Sequence, residues 1–337
     1  AGTGEARRDH LSNKGLNHMG ALDGRVAIIT GAGRGIGREH ALLMASEGAR
    51  IVVNDLGGAI DGSGSDLSPA EEVVAEIEAM GGEAIANGAN VTDWEGVQGM
   101  INAAIEAFGD LHILVNNAGI LRDRVVVNMT EPEWDAVVDV HMKGHFVPTR
   151  WAAAYWREQA KAGKDVNAAI VNTASGAMLG NLGQFNYAGA KAAIAAMTLV
   201  AAGELSRYGV RVNCLAPLAR TRLTLQTPGM EELIAPPEDA GDFDLWDPAN
   251  ISPLVAYLST ADCPFTGGVF HVGGNEVGLY GGWSLDKDSD VIATDGRWTV
   301  AGLQDKAPSL IRQDRDLASV ATSIADTMKD FGKLGPS

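Results

Sequence analysis

The stretch that most constrains this chain is Arg25 to Gly37, RVAIITGAGRGIG, in which a short apolar run stops at Thr30 and passes into glycines at positions 31, 33, 35 and 37. Val26 to Ile29 is largely β-branched, as a strand buried on both faces would be. From Ile36 onward, IGREHALLMASEG carries apolar residues at helical spacing. A strand, a glycine loop and a helix in that order bring unpaired backbone N–H groups and the positive end of a helix dipole up to a phosphate. The spacing is T-G-x-x-x-G-x-G, read at Thr30, Gly31, Gly35 and Gly37; it departs from G-x-G-x-x-G because Ile36 stands where the third glycine would be. An ordinary glycine-rich turn has the same composition. The flanking strand and helix favour a nucleotide site built from Gly31, Arg34, Gly35, Ile36 and Gly37.

Strand and helix patterns then alternate down the chain, which predicts an α/β fold with a doubly wound parallel sheet. With 337 residues and 46% hydrophobic content, one large domain is expected over 19–282. Residues 1–18 carry no apolar block and read as an extension, and 283–337 as a C-terminal extension. There, Leu317, Val320, Ala321, Ile324, Met328 and Phe331 form an apolar helical stripe suited to packing on the domain or a neighbouring subunit. The net charge of −17 argues against nucleic-acid or anionic-membrane partners. Cys214 and Cys263, the only cysteines, suggest neither a disulfide framework nor a metal site, and a cytoplasmic location is expected. The longest uncharged apolar run, Ala192 to Gly203, has twelve residues, too few to span a bilayer.

The second strand, Ile51 to Asn54, ends at Asp55, where an acid can accept hydrogen bonds from the adenosine ribose. That favours NAD over NADP, although Arg34 would attract a 2′-phosphate and Asp55 could equally be a solvated loop carboxylate. A glycine- and serine-rich loop follows over 57–69, then a helix over 70–80. A third strand at Ala84 to Ala86 leads to Asn90 and Val91, where an adenine could rest. A helix is expected over 94–108, and a fourth strand, Ile113 to Val115, runs into Asn116, Asn117, Ala118 and Gly119.

TGAGRGIG at 30–37, NNAG at 116–119 and YAGAK at 187–191 together resemble the short-chain dehydrogenase/reductase family over nearly all of residues 22–280. VVNDLGG at 52–58, NNAGILRDR at 116–124 and PLARTRLT at 217–224 are most similar to the (3R)-hydroxyacyl-CoA dehydrogenase part of peroxisomal multifunctional enzyme type 2 and its bacterial single-domain relatives. The resemblance implies a Rossmann-type fold and a nicotinamide cofactor held along Gly31 to Gly37, Asp55, Asn90, Val91, Asn117, Ala118, Gly119 and Pro217. It also implies a catalytic set of Ser175, Tyr187 and Lys191, with Asn116 bracing the strands.

Tyr187 and Lys191 lie one helical turn apart, so they share a face. Oxidising an alcohol needs a base for the hydroxyl proton, and a nearby ammonium would favour the phenolate of a tyrosine whose free pKa is about 10. Ser175 would hydrogen-bond the substrate oxygen and Lys191 the nicotinamide ribose. Eleven residues separate Ser175 from Tyr187 where relatives usually have twelve, so strict counting would put Ala174 at the serine position; a one-residue loop deletion restores Ser175. His141, within the long helical pattern 132–161, stands where most relatives have an asparagine that holds a water in a proton relay. It either takes that role or is a satisfied core histidine.

Further strands are expected at 168–172, 210–214 and, as the last, 269–272, with a helix over 248–259 and a substrate-covering segment over 217–247. Arg122, Arg124, Arg220 and Arg222 follow strands on the ligand side of such a sheet and would suit CoA phosphates, or be ordinary solvated charge. The leading expectation is an NAD-dependent dehydrogenase of 3-hydroxyacyl-CoA thioesters of fatty-acyl or steroid-side-chain type, acting as a homodimer or homotetramer. A general alcohol or hydroxysteroid dehydrogenase fits the same catalytic residues. A dinucleotide-binding protein without turnover is a third reading, against which intact Tyr187 and Lys191 weigh.

Overall fold

Alternate residues of the first strand, β1 (Val26–Thr30), face opposite ways, and all five are buried because helices cover both sides. Ala27 and Ile29 pack with Met44, Val73, Ile77 and Val255 on one face, whereas Val26 and Ile28 pack with Val97, Met100, Val147 and Trp156 on the other. The structure, a computed structural model, describes residues 20–59, 61–226, 232, 234–239, 241–282 and 291–310. The apolar stripe expected at 317–331 and the extension expected at 1–18 lie outside the described residues.

Around β1 the chain runs α1 (Gly35–Ser46), β2 (Arg50–Asn54), α2 (Ser68–Ala79), β3 (Ala84–Asn87), α3 (Trp94–Phe108) and β4 (Ile113–Asn116). It continues through α4 (Glu131–Val138), α5 (Gly144–Lys161), β5 (Ala168–Thr173), α6 (Phe185–Leu205), β6 (Val210–Leu218), a helix Ser252–Leu258, β7 (Val269–Gly273) and β8 (Glu276–Leu279). The sheet order is β3-β2-β1-β4-β5-β6-β7-β8. All neighbours are parallel except β7 and β8, which form an antiparallel pair. The order reverses between β1 and β4, and a crevice opens beyond the carboxyl ends of strands at such a switch point. The expected doubly wound sheet is present.

Several boundaries shift from the sequence reading, such as the helices expected over 70–80 and 248–259, observed at Ser68–Ala79 and Ser252–Leu258, and three differences alter the architecture. β6 runs to Leu218 instead of ending at Cys214, passing through Pro217. The Leu215 carbonyl accepts from Ala174 N (2.7 Å) on the β5 side, and Pro217 faces that same side past the end of β5, where no ladder bond is lost. β7 is not the last strand: the chain turns at Gly274, whose φ is +49°, and returns as β8. The long helical pattern expected over 132–161 is two α-helices joined by a π-helical turn, Asp139–Lys143. Helix α4 begins with a reciprocal cap in which Glu133 N donates to Thr130 Oγ1 (3.4 Å) and Thr130 N to Glu133 Oε2 (2.8 Å).

Candidate active site

The glycine loop is shaped by what its neighbours leave no room for. Gly31 has φ +64°, and a Cβ there would lie 2.8 Å from the Ala118 Cα; a Cβ on Gly37 would lie 2.1 Å from the Gly31 carbonyl oxygen. The β1 and β4 loops can therefore touch, and polar groups seal the contact. Asn117 N and Ala118 N donate to Thr30 Oγ1 (2.9 and 3.1 Å), while Asn117 Nδ2 donates to the carbonyls of Thr30 and Gly31 (both 3.1 Å). Asp55 holds the loop from the other side: its carboxylate accepts from Gly33 N (2.8 Å) and Gly57 N (2.6 Å).

At the start of α1, Arg34 occupies the cap position without a side-chain cap, and the first turn carries no acid. Its first amides thus face the cleft with no side-chain acceptor, and a Cβ at Gly35 would meet nothing within 4 Å. That is the cradle a pyrophosphate requires.

One cleft takes in every residue expected to form the site. Gly31, Arg34, Gly35, Ile36, Gly37 and Asp55 line it at one end with Asn90 and Val91, followed by Asn117, Ala118 and Gly119, then His141, Ser175, Tyr187, Lys191 and Pro217. The sequence reading missed Thr173, Ile120 and Val140 of its lining, as well as Leu56, Gly62 and Thr221.

Lys191 is buried, and its Nζ donates to the Thr173 carbonyl (2.6 Å) at the end of β5 while lying 5.4 Å from the Tyr187 ring centre. Burial lowers its pKa to about 7, and burial raises that of the Tyr187 phenol to about 12, opposed by a hydrogen bond with Ser175 and reinforced by Asp123. Ser175 caps the short 3-10 turn Gly176–Leu179 through Ala177 N (3.2 Å), and its hydroxyl also interacts with Tyr187. Ala174, the residue that strict counting selects, is instead packed with Met178, Ile194 and Cys214. Gly180 and Gly183, with φ of +113° and +80°, lie in the turn between Ser175 and α6.

His141 sits on the π-helical turn with its ring edge-on to Tyr187, the centres 5.1 Å apart. Its Nε2 is 2.8 Å from the Ile120 carbonyl, and its Nδ1 has no protein partner among the described residues. Burial first, then the positive Lys191, hold its pKa well below the usual histidine range, so the ring is neutral. One turn on, His145 accepts from Thr173 N (3.4 Å) and is lowered to about 3, chiefly by burial. The sequence reading passed over His145, although its i, i+4 spacing from His141 was the available signal. Asn116 braces the strands as expected: its Nδ2 donates to Asn172 Oδ1 (2.9 Å) and Thr149 Oγ1 (3.1 Å).

Three of the four arginines considered for CoA phosphates are already engaged. Arg220 is paired with Asp244 and donates to the Ile234 carbonyl (2.9 Å), Arg124 is paired with Glu133 (2.8 Å), and Arg122 donates to the carbonyls of Asp61 (2.9 Å) and Pro132 (3.3 Å). Arg222 does line the cleft, but within electrostatic reach of Arg34 and Asp55, at the end expected to hold the adenosine.

Residues 25–226 match the family model for short chain dehydrogenases. The chain belongs to the short-chain dehydrogenase family. It is accordingly an oxidoreductase of a family that binds a nicotinamide dinucleotide. It is 44% identical to the hydroxyacyl-CoA dehydrogenase ChsB1 of Mycobacterium tuberculosis over 77% of this chain and 80% of that protein. It is 42% identical to the peroxisomal multifunctional enzyme type 2 of Drosophila melanogaster, over 73% of this chain but only 38% of that longer protein. A crystal structure of a short chain dehydrogenase from Mycobacterium avium superposes with a TM-score of 0.76 at 50% identity, covering 86% of this chain and 96% of that one. The family and fold expected from the sequence are thus borne out.

Proposed function

We propose that this short-chain dehydrogenase oxidises 3-hydroxyacyl-CoA thioesters with NAD, Tyr187 carrying the proton. The observation that carries the reading is the single cleft running from the α1 amides to Tyr187, Ser175 and Lys191, in a chain 44% identical to a hydroxyacyl-CoA dehydrogenase.

The dinucleotide supplies the hydride acceptor for the carbinol carbon. The α1 amides would hold its pyrophosphate, Asp55 its adenosine ribose, and Lys191 the ribose beside the nicotinamide. Ser175 donates to the substrate oxygen and Tyr187 takes the hydroxyl proton. With its phenol at about 12, Tyr187 is protonated at neutral pH, which suits it to donate in ketone reduction. Alcohol oxidation therefore accelerates as pH rises, because it uses the phenolate. His141, neutral and anchored to the Ile120 carbonyl, orients the Gly119–Ile120 loop and presents a hydrogen-bond acceptor; a proton-carrying imidazolium is disfavoured by its burial beside Lys191.

NAD is favoured because the Asp55 carboxylate faces the cleft, held by two backbone amides, where a 2′-phosphate would meet it; Arg34 and Arg222 nearby temper that preference. The exposed apolar face of α6, with Leu199 and Val200 55% and 60% exposed, supports packing against a second copy of the chain. Two buried free thiols suit a reducing cytoplasm.

The test is a panel assayed with NAD and NADP: 3-hydroxyacyl-CoAs of several lengths, a steroid-side-chain CoA, free hydroxysteroids and simple secondary alcohols. The thioesters should have the highest kcat/KM. Free alcohols turning over as well as every thioester would replace this reading with a general alcohol dehydrogenase.

A further inference from the structure

The loop after β4 carries NNAGILRDR, and its three charged residues, Arg122, Asp123 and Arg124, all make hydrogen bonds within the fold. They are strapped to the residues just before Tyr187. Arg124 N donates to the Gly183 carbonyl (2.7 Å), Gln184 Nε2 to Asp123 Oδ2 (2.7 Å), and Asn186 Nδ2 to the Arg122 carbonyl (3.0 Å). The strap is itself tied down: Asn186 Nδ2 also reaches the Glu133 carbonyl (3.0 Å), Arg124 pairs with Glu133 at the start of α4, and Asn181 Nδ2 donates to Gln184 Oε1 (2.8 Å). Asn186 and Gln184 are buried, and Asn186 Oδ1 accepts the backbone N–H of Tyr187 itself (2.8 Å). Among the described residues, Asp123 to Gln184 is the rung between the loop and the residues just before Tyr187 that joins two side chains, and it brings a carboxylate beside the catalytic helix.

We propose that Asp123, acting through Gln184, is a positioning residue for Tyr187: it fixes the first turn of α6 and so the direction in which the phenol enters the cleft. The inference rests on the proposed role of Tyr187 as proton carrier. Its charge has a second consequence. The groups facing Tyr187 are Lys191 from its own helix, neutral His141 from the π-helical turn, the Ser175 hydroxyl after β5, and Asp123 from the post-β4 loop; Cys214 of β6 lies near Lys191. Burial is the main force raising the phenol pKa, and Asp123 is the one anion among these groups, adding to the rise. Arg122 and Arg124, its neighbours, are turned to other partners and leave that charge uncompensated at the phenol. Asp123 thus holds Tyr187 in place and also favours its protonated form.

The two effects separate in two variants of the full chain. Asp123→Asn keeps an oxygen that accepts from Gln184 and removes the charge. Gln184→Met keeps the charge and the volume and removes the rung. With 3-hydroxydecanoyl-CoA and NAD, Asp123→Asn should move the acid limb of the kcat/KM profile to lower pH. Gln184→Met should leave that limb in place and lower kcat about ten- to a hundredfold, the scale of a small misplacement of a catalytic group. A readout that needs no substrate is hydrogen exchange of the amides of residues 184–190. One lost hydrogen bond should speed it up to about tenfold in Gln184→Met and little in Asp123→Asn. An unmoved acid limb in Asp123→Asn, or wild-type exchange in Gln184→Met, overturns the proposal. If the wild type does not turn over the thioester at all while exchange in Gln184→Met rises as stated, the substrate reading fails and the strap stands.

Discussion

Acid should destabilise this fold well above the range where carboxylates titrate, because its core holds histidines that cannot be charged. His40 of α1 is fully buried, with Nδ1 2.8 Å from Ser252 Oγ and Nε2 without a protein partner among the described residues. Burial lowers its pKa to about 3, as it does mainly for His145; His141 is lowered in the same direction. A depressed histidine contributes stability that is whole above the unfolded value of about 6.5 and is lost as pH falls toward the folded value, since only the unfolded chain takes up the proton. Between pH 7.5 and 5.0 that loss is about 2 kcal/mol for each histidine held near 3, hence about 4 kcal/mol for His40 and His145 together. The carboxylates with lowered pKa, Glu133 at about 2 among them, lose their share at lower pH. Lys191, at about 7, contributes equally to wild type and to a His40 variant and cancels between them. Urea unfolding followed by circular dichroism at the two pH values, in wild type and His40→Gln, isolates one histidine that does not line the cleft. The variant should lose about 2 kcal/mol less than wild type over this interval, whatever its stability at pH 7.5. An equal loss in both proteins would show that His40 is protonated inside the fold and would refute the reasoning.

Tyr187→Phe keeps the ring and its packing, so NADH binding by fluorescence should persist while turnover all but disappears; wild-type turnover would exclude Tyr187 as the proton carrier. Asp55→Asn removes the charge that repels a 2′-phosphate while Arg34 and Arg222 remain, so the NAD over NADP ratio of kcat/KM should fall at least about tenfold, or 1.4 kcal/mol; a wild type that prefers NADP would contradict the role given to Asp55. Thr30→Val strands the amides of Asn117 and Ala118, which share one hydroxyl, and should cost about 1 to 3 kcal/mol in urea unfolding; an unchanged midpoint would show that those amides find another acceptor.

The nucleotide half of the site was legible in the sequence because its signals are local. Thr30 to Gly37 must turn tightly within a few residues, and Tyr187 and Lys191 are brought to one face by the pitch of a single helix. The doubly wound parallel sheet followed from the alternation of elements, since parallel strands need crossovers and both faces of their apolar runs must be covered, but the order of its strands was set only by the tertiary structure. Ser175 stood between a counting rule and a proposed deletion, and only the 3-10 turn after β5 separated its hydroxyl from the packed methyl of Ala174. Pro217 inside β6 and the return strand β8 were hidden for a similar reason: whether a proline costs a ladder bond depends on where the neighbouring strand ends. The arginines show the limit most plainly. Arg122, Arg124 and Arg220 fall at the ligand side of the sheet by sequence, yet partners up to 61 residues away, such as Asp61 for Arg122, have already taken their charge or their donors. Position along the chain places a side chain near a site, but its availability there is set by which distant groups the fold brings within hydrogen-bond reach.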